Sequence, residues 1–467
     1  MSREVVILKN TVFSYREESV VGTAPSDSDN TAIVLVRTDT PATWTLGREI
    51  LETRYMNGVL GRNPPQIGMY NEDIGYVIPV FARGAGTQGV APDYSLLLKH
   101  TMGGLNAPTG GVVAAAPTST DITVTGGSGW VVGDIARIEY NGAAGGSYAI
   151  RRVTDVSGGN ALTLWPPLPD SGLAAGGDVQ AGVTHLLKSD PSDFSTGSGF
   201  FYFDGDKKDV FTGCMGSNLA INWEVGQRID MQFTMQAINY AYSETAIGYT
   251  VVPSDYVTTT PIMCLGIELD IYYSATVVTG STATDVILTS TGGLEIEATD
   301  EVIVYVDASS DYETRTPSVV AGSGIGNKTV TVSALSGAPS AGNAAYIRHT
   351  ECLPSLSVTL ENILNKDMCM HVDSGYTNQA VTDRNIDFVA DNARWRTILE
   401  RYMRDNVVGF ELRAIGGDTA GNIFVMWLPN AYYGELPRGE DAGKITQAWN
   451  GWGTVDAGND ELIIAHL

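Results

Sequence analysis

Five histidines, His100, His185, His349, His371 and His466, are the side chains here best suited to proton transfer or metal binding, and each stands apart from the others. No HExxH pair puts two imidazoles on one helical face, no GxSxG elbow exposes a serine, and no Walker loop cradles a phosphate. The run Gly322-Ser323-Gly324-Ile325-Gly326 lies between strand-like segments with no helix after it, so it reads as a turn. Asp204-Gly205-Asp206-Lys207-Lys208-Asp209 opens like a calcium loop, but the downstream bidentate glutamate is missing and two lysines intrude, so a hairpin turn is expected. Cys214, Cys264, Cys352 and Cys369 lack CxxC spacing and read as buried free thiols. Nothing converges: no catalytic residue, metal or cofactor is expected, and the chain reads as a non-enzyme.

The elements that carry these residues belong to a β-rich protein. Glycine is abundant, at 53 residues, and Lys plus Arg number only 28, a composition suited to many short strands joined by turns. A chain of 467 residues has room for about three domains. Acidic residues outnumber basic ones 53 to 28, for a net charge of -25. Such a surface repels phosphate backbones, because nucleic-acid affinity comes from Lys and Arg displacing condensed counterions, so stable DNA binding is not expected. No segment has the apolar length of a signal peptide or membrane span, and folding in a cytoplasm is expected.

Two Gly/Ser/Thr/Val-rich stretches, 117–186 and 281–350, repeat each other. Thr120-Asp121-Ile122-Thr123-Val124 matches Thr284-Asp285-Val286-Ile287-Leu288, and Gly133-Asp134 matches Thr299-Asp300. Tyr148 with Arg151 matches Tyr312 with Arg315, Leu162-Thr163-Leu164 matches Val330-Thr331-Val332, and Ala175-Gly176 matches Ala341-Gly342. Short alternating runs broken by Gly pairs predict a small antiparallel sandwich or barrel in each. As insertions, both are expected to project outward from a host.

The host is also duplicated: residues 1–116 with 187–255 form one domain, and 256–280 with 351–467 the other. In the first, the run Ile74-Gly75-Tyr76-Val77-Ile78 leads to a helix signalled by Pro92-Asp93, with an apolar face of Tyr94, Leu97, Leu98 and Thr101 and a stop at Gly103-Gly104. In the second, Ile386-Asp387-Phe388-Val389 leads to Asp391 as N-cap and a face of Trp395, Ile398, Leu399 and Tyr402. Leu219, Ile221, Trp223 and Val225 alternate with polar residues, and Ile229, Met231, Phe233, Met235 and Ala237 do the same after a turn at Gly226-Gln227, which predicts a long two-faced hairpin. Leu356, Val358 and Leu360 are its counterpart in the second half. Unpaired outer strands are an aggregation hazard that closure across copies would remove. The wet face would then carry Glu224, Asp230, Gln232 and Glu361.

A two-layer β-domain with one packed helix, a long polar-faced hairpin, acidic charge and Ig-like insertions resembles the major tail tube proteins of siphophages. The stretches that carry the resemblance are Val90-Ala91-Pro92-Asp93-Tyr94-Ser95-Leu96-Leu97, Gly213-Cys214-Met215-Gly216-Ser217-Asn218-Leu219, Leu356-Ser357-Val358-Thr359-Leu360-Glu361-Asn362 and Trp427-Leu428-Pro429-Asn430-Ala431-Tyr432-Tyr433. The resemblance implies a mainly β fold of two tandem tail-tube sandwich or barrel domains, each with one packed helix, plus two small Ig-like modules. It implies trimeric, pseudo-hexameric rings stacked into the tube of a virion tail, assembled in the bacterial host cytoplasm with a tape-measure protein and tail terminator and tip proteins. DNA would pass transiently, without specific binding, and no membrane is involved. Glu224, Asp230, Gln232 and Glu361 are then lumen-facing candidates. Ring stacking falls to the loop from Tyr55 to Tyr70, with Arg62, Pro64 and Pro65, and to the loop from Asn365 to Thr382, with Asp373 and Tyr376. The rival reading is a tail-tip or surface adhesin whose modules grip a receptor or glycan.

Overall fold

A computed structural model of the chain describes residues 12–26, 33–37, 39–46, 50–51, 66–67, 74–114, 117–140, 147–168, 175–203, 207–243, 259–289, 296, 300–322, 327–368, 376–392, 409–435, 437–441, 444–456 and 460–467. The fold is mainly β. Its backbone is a run of eight strands: β1 (Thr43–Leu46), β2 (Ile74–Phe81), β3 (Lys207–Glu224), β4 (Asp230–Gln236), β5 (Ser355–Met368), β6 (Tyr376–Asn392), β7 (Phe424–Glu435) and β8 (Lys444–Gly453). Their lateral order is β1-β2-β4-β3-β5-β6-β8-β7, with every neighbouring pair antiparallel. The arrangement β1-β2-β4-β3 therefore recurs as β5-β6-β8-β7.

Period-two patterning makes this sheet two-faced. Leu219, Ile221, Trp223, Met231, Phe233, Leu356, Val358, Leu360 and Phe388 are all at most 1% exposed and belong to one core. Within it the Trp223 and Phe424 rings stack at 5.2 Å, which joins the first half of the chain to the second.

The α-helix α1 (Ser95–Met102) follows β2. Its expected face, Tyr94, Leu97, Leu98 and Thr101, is fully buried. Tyr94 occupies the N-cap position without a side-chain cap. Its hydroxyl donates instead to the Arg83 carbonyl at 2.8 Å. Asp93 does not cap either: it accepts from Arg83 and from the Leu35 N–H, each at 2.9 Å. Gly103 ends the helix at φ 91° with its N–H on the Lys99 carbonyl, a conformation that costs an L side chain but not glycine. The expected second helix face, Trp395, Ile398, Leu399 and Tyr402, lies outside the described residues. Asp391, its expected N-cap, is instead a strand residue of β6 and accepts from Ser355 Oγ at 3.0 Å.

The first inserted module is a closed six-stranded barrel built from strands between Gly111 and Ala181. It has its own core around Val124, Ile138, Val153, Leu162 and Leu164. The expected limits of 117–186 are thus displaced at both ends. Gly111–Val113 is too short to show a period, and Val183–Leu187 belongs to the body, pairing with Gly103–Asn106 on one side and Ile463–His466 on the other.

The second module repeats the ladder of the first. Ile122 pairs with Leu162 and Val286 with Val330. Thr163 donates to Asp121 at 2.7 Å, and Thr331 donates to Asp285 at 2.6 Å. Strand Ser147–Ser157 is continuous in the first module, whereas its counterpart is broken into Asp311–Arg315 and Val319–Ala321. Pro317 stands in the break, and proline has no N–H to give a ladder. The second module is not a separate body. Strands Cys264–Thr276 and Ala344–Cys352 run from it into the large sheet, and Val286, Val304 and Val330 join the main core.

Of the expected buried thiols, Cys214 and Cys264 are buried but Cys352 is exposed. Alternation at the end of its strand turns the neighbouring Glu351 inward instead. Cys369 lies outside the described residues. No helix among the described residues is long and apolar enough to cross a membrane.

Candidate assembly surface

The polar face of the eight-stranded sheet gathers residues from both halves of the chain. The seam is the β3–β5 pairing, which runs from Asn218 opposite Glu361 through Leu219 opposite Leu360 to Glu224 opposite Ser355. Glu224, Gln232 and Glu361 are exposed on this face, with Asn222, Asn385, Asp387 and Asp391. Asp230 is half-buried and held by Arg37 at 2.9 Å, so its charge is locally neutralised. Arg37 also pairs with Asp39 at 2.6 Å, which pulls the Asp39 carboxyl down to about 2. Apolar residues interrupt the face toward β8: Val389 and Trp452 are each 46% exposed. A cavity of about 660 Å³ opens at one end of the seam, lined by Glu224, Asp230, Ser355 and Asp391 among others.

Of the two expected stacking loops, the one from Asn365 to Thr382 takes a different form where it is described. From Asn365 to Thr382 the chain is mostly the arms of the β5–β6 hairpin, with Met368 paired to Tyr376. Tyr376 is the first residue of β6. Polar Asn365-Lys366-Asp367 has loop-like composition because this part of the hairpin stands clear of the core, with Asn365 and Asp367 exposed. In the first half, Gln66–Ile67 is the part of the expected loop that is described, and it pairs antiparallel with Ile50–Leu51. Arg62, Pro64, Pro65 and Asp373 lie outside the described residues, as does the Asp204–Asp206 part of the candidate calcium loop. The strands flanking that segment meet at Phe203 and Lys207 as a hairpin does.

Two amides that pattern reading does not single out fasten the halves together. Asn362 on β5 donates to the Thr101 carbonyl at 2.7 Å and to the Gly216 carbonyl at 2.8 Å. Gln379 on β6 donates to the carbonyls of Gly213 and Gln236.

The histidines are less scattered than the sequence shows. His185 and His466 pack with ring centroids 5.6 Å apart beneath α1. Ser95 Oγ bonds His185 Nε2 at 2.8 Å, and the Tyr94 hydroxyl bonds His466 Nε2 at 3.0 Å. Burial lowers the pKa of His185 to about 4. Burial and then the charge of His185 push His466 well below its usual range. Both rings are neutral packing elements at physiological pH. His100 likewise meets the Tyr15 hydroxyl at 2.6 Å.

Neither module dangles. Arg152 of the first barrel, 2% exposed, bonds Asp460 at 2.8 Å and Asp456 at 2.7 Å in the body. Ser119 donates from its N–H and its hydroxyl to Asp311 of the second module, each at 2.6 Å.

No protein-family model matches the chain, and no curated protein matches it. What the protein does is therefore read from this geometry.

Proposed function

We propose that the chain is the self-assembling subunit of a tube, of the kind formed by the major tail tube proteins of siphophages that its sequence resembles. The observation that carries this reading is the β3–β5 seam. There the outer edge of one four-strand unit receives the first strand of the next. The same two edges recur at the ends of the sheet: among the described strands, none pairs with the outer side of β1 or with the outer side of Tyr432–Glu435 in β7. A second copy placing its β1 against this β7 repeats the internal seam, with main-chain hydrogen bonds setting the register. Such a contact is head-to-tail and generates a closed ring when the rotation allows it. Three copies then bring twenty-four strands into one barrel, and a closed barrel has no edge left to aggregate.

In this ring the face with Glu224, Asp230, Gln232 and Glu361 lines the lumen. DNA carries about one charge per 1.7 Å of axis, so a wall poor in Lys and Arg lets it pass without counterion-release binding. The end of the β5–β6 pairing at Met368 and Tyr376 and the paired Ile50–Leu51 and Gln66–Ile67 after β1 lie toward neighbouring rings. A tape-measure protein during assembly and terminator and tip proteins at the ends are the partners that such a tube requires.

Negative-stain microscopy of the purified protein tests the proposal. Rings or tubes with side projections are expected, and Leu46→Pro in β1, at an exposed position that lies opposite the even-numbered Ile74 and so turns its N–H away from β2, should reduce them while circular dichroism stays unchanged. Discrete monomers at high protein concentration would contradict it.

A further inference from the structure

The two inserted modules enclose a cavity of about 570 Å³ whose wall includes Arg151 from the first and Glu301, Arg315, Thr316, Ser333 and Arg348 from the second and its extension. That volume falls in the range of roughly 300–1,000 Å³ typical of small-molecule sites. Arg151 and Arg315 are equivalent residues of the repeat, and each is fixed by its own module in the same way. Arg151 donates to the carbonyls of Ile150 at 2.9 Å and Pro167 at 3.1 Å. Arg315 donates to the carbonyls of Thr314 at 2.9 Å and Ala334 at 3.3 Å. Duplication has thus brought two pre-oriented guanidinium groups to one cavity.

The arginines there are unequally paired. Arg348 is paired with Glu301 and Asp270, each at 2.9 Å, and Arg315 with Glu313 at 2.9 Å. Among the described residues, Arg151 has only carbonyl oxygens as hydrogen-bond partners. Desolvation, with the charges of Arg413 and Arg348 nearby, outweighs the opposing charge of Glu301 and brings its pKa down to about 10, so a further anion would favour the cation there. The wall itself carries three arginines, Arg151, Arg315 and Arg348, against one carboxylate, Glu301, an unusual density of cations in a chain of net charge -25. Guanidinium forks match the planar oxygens of carboxylates and phosphates, and Thr316 and Ser333 add hydroxyl partners at the wall.

We propose that this cavity binds a small hydroxylated ligand bearing an oxyanion, a carboxylated or phosphorylated sugar, with Arg151 and Arg315 holding the anionic group. The proposal stands on the contact between modules and is independent of tube formation.

Isothermal titration calorimetry on the full chain with glucuronic acid, glucose 6-phosphate, glucose and inorganic phosphate tests it, and the first two probes separate the carboxylate from the phosphate source. At least one of the acidic sugars should bind ten-fold or more tightly than glucose and than inorganic phosphate, with affinity falling as salt rises. Arg151→Gln and Arg315→Gln should each weaken it at least ten-fold. Ser333→Glu, at an exposed position outside the ladder, should do the same and covers the case in which an arginine variant fails to fold. The proposal is overturned if neither acidic sugar binds, if glucose or phosphate binds as well as they do, or if Ser333→Glu binds like the parent.

Discussion

Asn362 on β5 donates its amide to the backbone carbonyl of Gly216 on β3, 2.8 Å away and buried, while its second bond reaches Thr101 at the end of α1. One side chain from the second half of the chain thus satisfies two carbonyls of the first. Asn362→Leu keeps the approximate size and strands both carbonyls away from water, and an unsatisfied buried group costs about 1–3 kcal/mol. Urea denaturation should show a loss of about 2–4 kcal/mol. A change within error of zero would mean that the two halves are not coupled through this residue.

Gly216 itself has no room for a side chain. A Cβ there would lie 1.9 Å from Thr101 Oγ1 and 2.8 Å from Thr101 Cα, so the helix must move away from β3. Overpacking of this kind costs typically 1–3 kcal/mol. Gly216→Ala should lower the melting temperature by several degrees, whereas Gly226→Ala, where nothing lies within 4 Å, should show only the milder strain of its positive φ.

The modules differ in how they leave the body, and deletion should reveal it. Asn106 and Thr184, on either side of the first barrel, are paired neighbours, so replacing residues 108–182 by a short Gly-Ser turn should leave a cooperatively melting protein. Removing 281–350 instead cuts away most of Ala344–Cys352, which pairs with Cys264–Thr276 along the body. That variant should lose cooperative melting in a calorimetric scan. Equal behaviour of the two deletions would contradict the shared-strand arrangement.

His349 gives an alkaline signature. It lies between Asp300 at 2.6 Å and Glu351 at 3.2 Å. Burial alone would lower its pKa, but hydrogen bonds to these two carboxylates overcome that and raise it to about 9. A folded pKa raised above the unfolded value near 6.5 contributes stability that is full below that value and is lost as pH rises through about 9. Burial raises Glu411 to about 7, so its contribution also fades with rising pH. The difference in melting temperature between the parent and His349→Gln isolates the histidine. It should be largest near pH 6 and shrink toward pH 10, and a difference independent of pH would contradict the assignment.

Much of the fold was legible because burial enforces period. Trp223 and Phe233 had to face the core once their neighbours were polar, and the stripe from Tyr94 to Thr101 had to be a helix face. The module repeat was legible through Asp121 and Asp285, whose side chains each hold a cross-strand threonine. Its limits were not, because Gly111–Val113 has three residues and no period. Asn365-Lys366-Asp367 and Thr377-Asn378-Gln379 have the composition of a loop, and composition cannot separate a polar stretch of strand from a turn. The contact between His185 and His466 left no trace, for residues so distant in sequence meet only through the sheet that Ile463–His466 completes. The order of the central sheet was likewise hidden. By pattern Leu356, Val358 and Leu360 look like the counterpart of the β3–β4 hairpin, whereas they lie directly beside it, and the strands that repeat β3 and β4 are β7 and β8.

The pairing of β3 with β5 as a template for contacts between copies is the centre of this account, and it fixes a number. Native mass spectrometry of an isolated ring should give the mass of three chains of 49.7 kDa each. Rings of six chains, or protein that remains monomeric under conditions of assembly, would contradict the account.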